Sequence, residues 1–269
     1  MTSMTQPDVN HSRGGDGTTA AEPVRLEPNH RRVRVLVDGI VVADTVHSLY
    51  LFELGHLPVY YFPRSDVRFD LLEPTDRSTH CPRKGDATYW SILVGDRRIE
   101  NAVWGYPVPL PGTPDLSSYV AFYWNKVDSW FEEDDEVFVH ARDPYTRVDA
   151  LRSSRHVEIR IDGVTVAETT RPVLLFETGL PTRHYIPKVD VRLDLLRPTP
   201  STTACPYKGI AGYYSVVLPS GRVIDDIAWV YPKPIVQVPT IENHISFFDE
   251  HVDVIVDGQL QPRPVTHWS

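Results

Sequence analysis

The chain has 269 residues and a formal net charge of −9, with 36 acidic residues against 27 basic ones. Binding to a polyanion relies on clustered Lys and Arg side chains, so this balance predicts no nucleic-acid partner. No apolar stretch of the sequence is long enough to cross a bilayer, which predicts no membrane partner either.

The N-terminal residues are rich in Ser, Thr, Gly and Asp and include almost no large apolar side chains. Such a segment buries too little surface to offset the entropy lost on ordering it. We therefore predict a disordered tail over residues 1–24. The tail has no apolar run of the signal-peptide type, and two cysteines are too few for a disulfide framework. These features predict a soluble, cytoplasmic protein.

The rest of the sequence contains two copies of one domain. A shift of 124 residues aligns Phe52–Thr75 with Phe176–Thr199, and 13 of these 24 aligned positions are identical. Such self-similarity indicates a tandem repeat, and we expect the two repeats to pack on each other. The predicted boundaries are 25–130 for the first repeat, 131–155 for a linker, 156–258 for the second repeat and 259–269 for a C-terminal tail.

Short segments of β type follow one another along the first repeat. Two β-branched runs flank Asp38-Gly39, a dipeptide typical of a hairpin turn. An apolar segment ends near Glu53, and strict alternation predicts a strand over Asp66–Leu71 that ends at Pro74. Further along, the sequence predicts a hairpin of Tyr89–Val94 with Arg98–Trp104, and then a short helix near Ser117–Tyr123.

Many short strands, frequent Pro and Gly turns and little helix periodicity indicate a mainly β fold. The expected architecture is two tandem copies of a small β domain with few short helices. Whether each copy is barrel-like or consists of two packed sheets stays open at this point.

The only two cysteines lie in matching loops, Cys81-Pro82-Arg83-Lys84-Gly85 and Cys205-Pro206-Tyr207-Lys208-Gly209. Proline fixes one backbone angle and glycine permits unusual ones, so both loops have a defined shape. A nearby lysine favours the thiolate, which is the reactive form of a catalytic or redox-sensing cysteine. The alternative is a structural or ligand-lining cysteine, because a nucleophile normally needs a base and none of the 11 histidines occupies a matched position.

Each repeat also has a glutamate at the end of an apolar segment, Glu53 or Glu177. A carboxylate beside such a segment is expected to be partly buried and paired, and the loop lysine is the candidate partner. Either this pair fixes the loop as an internal ion pair, or it lines a pocket for a small polar ligand. The candidate pocket residues are Glu53, Tyr61, Asp66, Cys81, Lys84, Trp104 and Tyr106 in the first repeat, and Glu177, Tyr185, Asp190, Cys205, Lys208, Trp229 and Tyr231 in the second.

Metal binding is not favoured by the residue pattern. Asp66 and Asp70 fall on one face of the predicted strand, but Arg68 between them makes a self-neutralising series rather than a Mg²⁺ site. No Gly-rich phosphate loop accompanies them. Each repeat has one cysteine and no shared histidine, which is too few ligands for zinc. We therefore predict no metal site, and the sequence identifies no cofactor.

These shared residues resemble the family called domain of unknown function 427. The resemblance covers both repeats and implies a tandem member of that family, which has carried a nucleotidyltransferase-like label. The first repeat departs from the family pattern at Leu54 and His56 and has Arg83 where the pattern has tyrosine. The second repeat carries the pattern more fully, in Glu177-Thr178-Gly179-Leu180-Pro181, Tyr185-x-Pro187-x-x-Asp190-Val191-Arg192, Cys205-Pro206-Tyr207-Lys208-Gly209 and Trp229-x-Tyr231-Pro232.

Three functions are compatible with these residues. The first is a small-molecule binding module with a pocket lined by Glu, Lys, Tyr and Trp in each repeat. The second is an enzyme, transferase-like or thiol-dependent, that uses the Cys-Pro-x-Lys-Gly loop. The third is a purely scaffolding role. The sequence favours the binding module.

Overall fold

A computed structural model describes residues 24–269 of the chain. The disordered tail predicted for residues 1–24 lies outside these residues except for Val24, which begins the first strand. The chain divides between Asp143 and Pro144 into two units. Each unit contains one repeat.

The first unit consists of two antiparallel sheets. A seven-stranded sheet has the order β1-β4-β5-β9-β8-β7-β6, and a four-stranded sheet has the order β11-β10-β2-β3. The strands are β1 Val24–Pro28, β2 Val33–Val37, β3 Ile40–Thr45, β4 Leu49–Glu53, β5 Val59–Pro63, β6 Leu72–Cys81, β7 Gly85–Val94, β8 Arg97–Gly105, β9 Tyr119–Phe122, β10 Ser129–Glu132 and β11 Asp135–Glu136. Short 3₁₀ turns occupy Arg64–Asp66, Phe69–Leu71 and Trp124–Lys126.

The second unit has the same architecture. Its seven-stranded sheet has the order β12-β15-β16-β20-β19-β18-β17, and its four-stranded sheet has the order β14-β13-β21-β22. The strands are β12 Val148–Arg152, β13 Val157–Ile161, β14 Val164–Thr169, β15 Val173–Glu177, β16 Arg183–Pro187, β17 Leu196–Cys205, β18 Gly209–Val217, β19 Val223–Val230, β20 His244–Phe247, β21 Asp253–Val256 and β22 Gln259–Leu260. Its 3₁₀ turns are Lys188–Asp190, Leu193–Leu195 and Pro239–Ile241.

This architecture confirms the prediction of two mainly β domains in tandem. Of the two alternatives left open, packed sheets are the arrangement found. The segment 131–155, predicted as a linker, contains β11, β12 and the end of β10. Among the described residues, no helix is long and apolar enough to span a membrane.

Side-chain alternation gives each seven-stranded sheet two different faces. In β5, Tyr60 and Phe62 enter the core between the two sheets, whereas Tyr61 belongs to a separate cluster on the opposite face. In β16, Ile186 lies in the inter-sheet core and Tyr185 in the opposite cluster. We call the face that carries Tyr61 or Tyr185 the outer face of the sheet.

Two local predictions are wrong. Residues 66–71 do not form a strand but parts of two consecutive 3₁₀ turns, and the predicted end at Pro74 falls inside β6. The alternation has another cause: Val67 pairs with Ala43 and is buried, while Arg68 and Asp70 bind each other in solvent. The predicted helix near Ser117–Tyr123 is also wrong, because β9 lies there and pairs with β5 and β8.

Candidate functional site

The Cys-Pro-x-Lys-Gly loop is a tight turn that joins two long strands in each repeat. Cys81 ends β6 and pairs with Gly85 at the start of β7. The amide of Lys84 donates to the carbonyl of Cys81 over 3.2 Å, so the proline occupies the second turn position, which its fixed φ favours. Gly85 has a φ of +100°, and an added Cβ would lie 3.1 Å from the carbonyl oxygen of Val108. Glycine is therefore required here by both its backbone angle and its space.

The turn of the second repeat has the same geometry. Cys205 pairs with Gly209, and the Lys208 amide donates to the Cys205 carbonyl over 3.4 Å. Gly209 has a φ of +103°, and an added Cβ would lie 3.2 Å from the carbonyl oxygen of Lys233. The lysine therefore occupies the fourth position of the turn in both repeats.

Each turn lysine binds the glutamate that ends the neighbouring apolar strand. Lys84 Nζ donates to Glu53 Oε2, and Lys208 Nζ donates to Glu177 Oε2. The exposed fractions of these side chains are 8% and 14% in the first pair and 11% and 9% in the second. Both ion pairs expected from the sequence are therefore present and nearly buried.

Aromatic side chains of the outer face surround the pair. Tyr61, Trp104 and Tyr106 belong to one apolar cluster with Cys81, and the Lys84 ammonium lies 5.8 Å from the centre of the Tyr106 ring. In the second repeat, Tyr185, Trp229, Tyr231 and Cys205 form the equivalent cluster.

Hydrogen bonds fix the rings of the second cluster. Trp229 Nε1 donates to the hydroxyl of Tyr185 over 3.1 Å. Burial raises the pKa of Tyr185 and of Tyr231, so both phenols stay protonated and act as neutral hydrogen-bonding groups. The surroundings of the ion pair are therefore apolar apart from a few fixed hydroxyl and indole groups.

The electrostatics of the second site separate the thiol from the amine. Burial raises the pKa of the Cys205 thiol, and the opposing effect of Lys208 does not offset it. Burial lowers the pKa of Lys208, but the charge of Glu177 and the hydrogen bonds of Lys208 to Glu177 and Cys205 outweigh that effect and raise the pKa above its usual value. At neutral pH the site thus presents a neutral thiol and a charged ammonium group.

Asp66 and Asp190 do not join the Glu–Lys pairs. Each binds a threonine at the end of a strand in the four-stranded sheet, Asp66 to Thr45 over 2.6 Å and Asp190 to Thr169 over 2.7 Å. Arg171 also binds Asp190 and lowers its pKa. The other twelve predicted residues come together in two groups of six, one on each outer face.

The two repeats differ at the rim of this site. Arg83 reaches Glu53 over 3.2 Å in the first repeat, whereas its counterpart in the second repeat is Tyr207. A ring packs against the tryptophan in both repeats, Phe248 on Trp229 at 4.7 Å and Tyr123 on Trp104 at 4.5 Å between ring centroids, but Trp229 is buried. Trp104 is only partly buried.

Sequence reasoning missed a buried polar cluster in the second repeat. Arg183 forms two hydrogen bonds to Glu250, of 2.6 and 2.8 Å, and His184 Nδ1 lies 3.1 Å from Asp249 Oδ2. These contacts join residues 65 to 67 positions apart. The sequence shows two adjacent pairs of polar residues, Arg183-His184 and Asp249-Glu250, that could have indicated this cluster. Comparison of the repeats does not reveal them, because neither pair has a counterpart in the first repeat.

Two cavities of the second unit lie away from the Glu–Lys pair. One, of about 400 Å³, lies among charged side chains that include Arg160, Arg222 and Arg263. The other, of about 230 Å³, is lined by His184 and Asp249 together with apolar side chains. We call this second one the Asp249 cavity.

Comparison with known families agrees with the repeated architecture. The pattern of the family described as Domain of unknown function (DUF427) matches residues 25–133 and again residues 149–258. No curated protein matches the chain. Since the two matches together cover most of the sequence, the chain belongs to this family and carries two copies of its domain.

Proposed function

We propose that this tandem DUF427 protein is a small-molecule binding protein, and that each repeat holds a small polar ligand at its Glu–Lys pair. The observation that carries this proposal is the recurrence of a nearly buried Glu–Lys pair on the outer face of both repeats. The same cysteine, two tyrosines and tryptophan accompany the pair each time.

Stability alone gives a weak reason for such a pair. Removing two charges from water costs several kcal/mol per ion, and replacing a buried ion pair with apolar residues is often neutral or stabilising. Each repeat nevertheless uses a shaped turn, with glycine at a positive φ, to place the lysine. Charged groups in such surroundings are frequent in binding and catalytic sites.

The chemistry of the pair indicates the ligand class. Lysine has three N–H donors, whereas the carboxylate offers only acceptors. A carboxamide complements both groups, because its carbonyl accepts from lysine and its N–H donates to glutamate. The neighbouring rings suit a flat molecule, since aromatic side chains stack on planar groups. We therefore propose a flat, neutral ligand with a carboxamide or a similar donor–acceptor edge.

Thermal unfolding of the full chain with nicotinamide, and with nicotinate as the matched carboxylate, tests this proposal. We expect nicotinamide to raise the Tm and nicotinate to have less effect. Glu53→Leu/Lys84→Met and Glu177→Leu/Lys208→Met replace each pair by apolar residues and are expected to fold, because no buried charge is left unpaired.

Combining the two double substitutions is expected to abolish the nicotinamide shift, whereas Cys205→Ser keeps it. A nicotinamide shift that persists in the protein with both double substitutions would overturn the proposal. So would the absence of a shift with nicotinamide in the unmodified chain, provided that benzamide and adenine also fail.

The enzyme alternative has less support. The raised pKa of Cys205 argues against a thiolate nucleophile at neutral pH. A transferase of the kind suggested by the family label needs carboxylates close together, but Asp66 is bound to Thr45 and Asp70 to Arg68. Both cysteines are free, which fits the cytoplasmic location that we include in the proposal.

A further inference from the structure

The Asp249 cavity lies in the second repeat, at one end of the core between its two sheets. Its volume is about 230 Å³, below the roughly 300–1,000 Å³ of sites for drug-sized ligands. At about 30 Å³ for each water molecule in the liquid, it has room for a ligand with about eight non-hydrogen atoms. Its lining includes Leu174, His184, Asp249, Val252, Val254 and Pro264.

A large side chain fills the same strand position in the first repeat. Trp130 on β10 pairs with Val35, and Val254 on β21 pairs with Ile159, the counterpart of Val35. Trp130 is 3% exposed. The exchange of tryptophan for valine therefore removes most of an indole from this end of the second core.

Two neighbouring positions also have smaller side chains in the second repeat. Trp124 and Asp249 each lie two residues after the end of a strand, β9 or β20, and Tyr60 aligns with His184. In the first repeat, Trp124 stacks on Trp130 with ring centroids 4.2 Å apart and an interplanar angle of 6°. In the second repeat a carboxylate and an imidazole occupy these positions. Three large aromatic side chains of the first repeat are thus replaced by smaller ones in the second, where a cavity with a polar end is present.

The carboxylate of Asp249 is the unusual feature of this cavity. Its side chain is 6% exposed, and His184 Nδ1 lies 3.1 Å from Oδ2. The other oxygen, Oδ1, is buried and has no hydrogen-bond partner within residues 24–269. A buried carboxylate oxygen without a donor costs free energy, because its hydration is lost and not replaced. A cation at the cavity wall would offset part of that cost, because its charge attracts the whole carboxylate.

From this geometry we propose that the Asp249 cavity binds a small organic amine. The ammonium group pairs with the Asp249 carboxylate at the cavity wall, and the hydrocarbon part packs on the apolar walls. Other charged groups fit this choice: Arg155 at the cavity is already paired with Asp257 over 2.9 Å, and the Asp249 carboxylate repels an anion. The inference does not depend on the Glu–Lys site.

Benzylamine, which has eight non-hydrogen atoms, is the probe, and benzyl alcohol is its neutral match. Saturation-transfer NMR with the full chain is expected to show binding of benzylamine and at least tenfold weaker binding of benzyl alcohol. Asp249→Asn keeps the side-chain shape but removes the charge, and it is expected to weaken benzylamine binding at least tenfold. Glu177→Leu/Lys208→Met leaves the cavity unchanged and is expected to have no effect.

Val254→Trp provides a second variant that restores the residue type of the first repeat. It is expected to abolish benzylamine binding while the circular dichroism spectrum stays unchanged. No saturation transfer to benzylamine in the unmodified chain would overturn the proposal, leaving ordered water as the occupant. Equal affinity in Asp249→Asn would overturn it as well.

Discussion

The two repeats share one fold but differ in how they fill the space between their sheets. In the first, the stacked rings of Trp124 and Trp130 and the ring of Tyr60 occupy one end of the core. In the second, His184 and Asp249 occupy this end, and a cavity remains. The comparison shows that the backbone tolerates a large change in core volume, since both copies keep the same strand order.

The outer faces show the opposite behaviour. Their turn, Glu–Lys pair and aromatic cluster consist of nearly the same residue types, although the residue after the turn proline changes from arginine to tyrosine. The two repeats therefore share the buried polar pair, whereas the Asp249 cavity is a feature of the second repeat.

The largest expected effect comes from the filled end of the first core. Trp130→Ala is expected to destabilise the first unit by about 3–5 kcal/mol, because it leaves a large cavity. Val254→Ala should cost the second unit only about 1–2 kcal/mol, since fewer methyl groups lose contact and space is already present. Hydrogen exchange followed by mass spectrometry assigns each loss to its unit. Equal losses would contradict the difference in packing.

Removal of the lysine from each ion pair is expected to destabilise the two repeats by different amounts. Lys208→Met leaves Glu177 without its cation and is expected to cost about 3–5 kcal/mol. Lys84→Met should cost less, because Arg83 lies 3.2 Å from Glu53 and takes over part of the pairing. Urea denaturation of both variants measures the difference. Adding Arg83→Tyr to Lys84→Met is expected to raise the cost to that of Lys208→Met, and no increase would exclude the compensating role.

Glu250 predicts a pH effect on stability that has no counterpart at the matched positions of the first repeat. Burial raises the pKa of Glu250, but the hydrogen bonds from Arg183 and Thr266 outweigh it and lower the pKa to about 2, from 4.5. This group therefore contributes about 3 kcal/mol above pH 4.5, and the contribution is lost as the pH falls towards 2. The first repeat has Val59 and Asn125 at these positions.

Glu250→Gln is the control for that pH effect. The free energy of unfolding of the unmodified chain should exceed that of Glu250→Gln at pH 6, and the two values should converge between pH 4.5 and 2. Hydrogen exchange of β16 peptides assigns the change to the second unit. A difference that stays constant over this range would contradict the lowered pKa.

The smallest effect is expected at the thiol. Cys205→Ser should change the free energy of unfolding by no more than about 1 kcal/mol, a typical small substitution cost. Because burial raises its pKa, Cys205 should react with iodoacetamide at pH 8 several times more slowly than free cysteine. Peptide mass spectrometry follows Cys205 separately from Cys81. Faster labelling than free cysteine would restore the thiol enzyme as a candidate.

Local patterns predicted the elements whose partners lie close in sequence. The Asp38-Gly39 hairpin and the β7–β8 hairpin are present, since turn chemistry and alternation act over a few residues. The Glu–Lys pairs could be inferred because the repeat showed each residue twice. Residues 66–71 failed the same reasoning: their alternation comes from the contact of Val67 with Ala43, which is a tertiary contact.

The sequence by itself determined the tandem repeat, the mainly β class and the residues that gather around the Glu–Lys pairs, because identity between copies and side-chain periodicity are local properties. Only the tertiary structure decided that each repeat is a pair of packed sheets and that Asp66 and Asp190 lie apart from the Glu–Lys pairs. It also decided that exchanging rings for His184 and Asp249 leaves a cavity. Such features depend on which distant side chains share a volume, as His184 and Asp249 do across 65 residues.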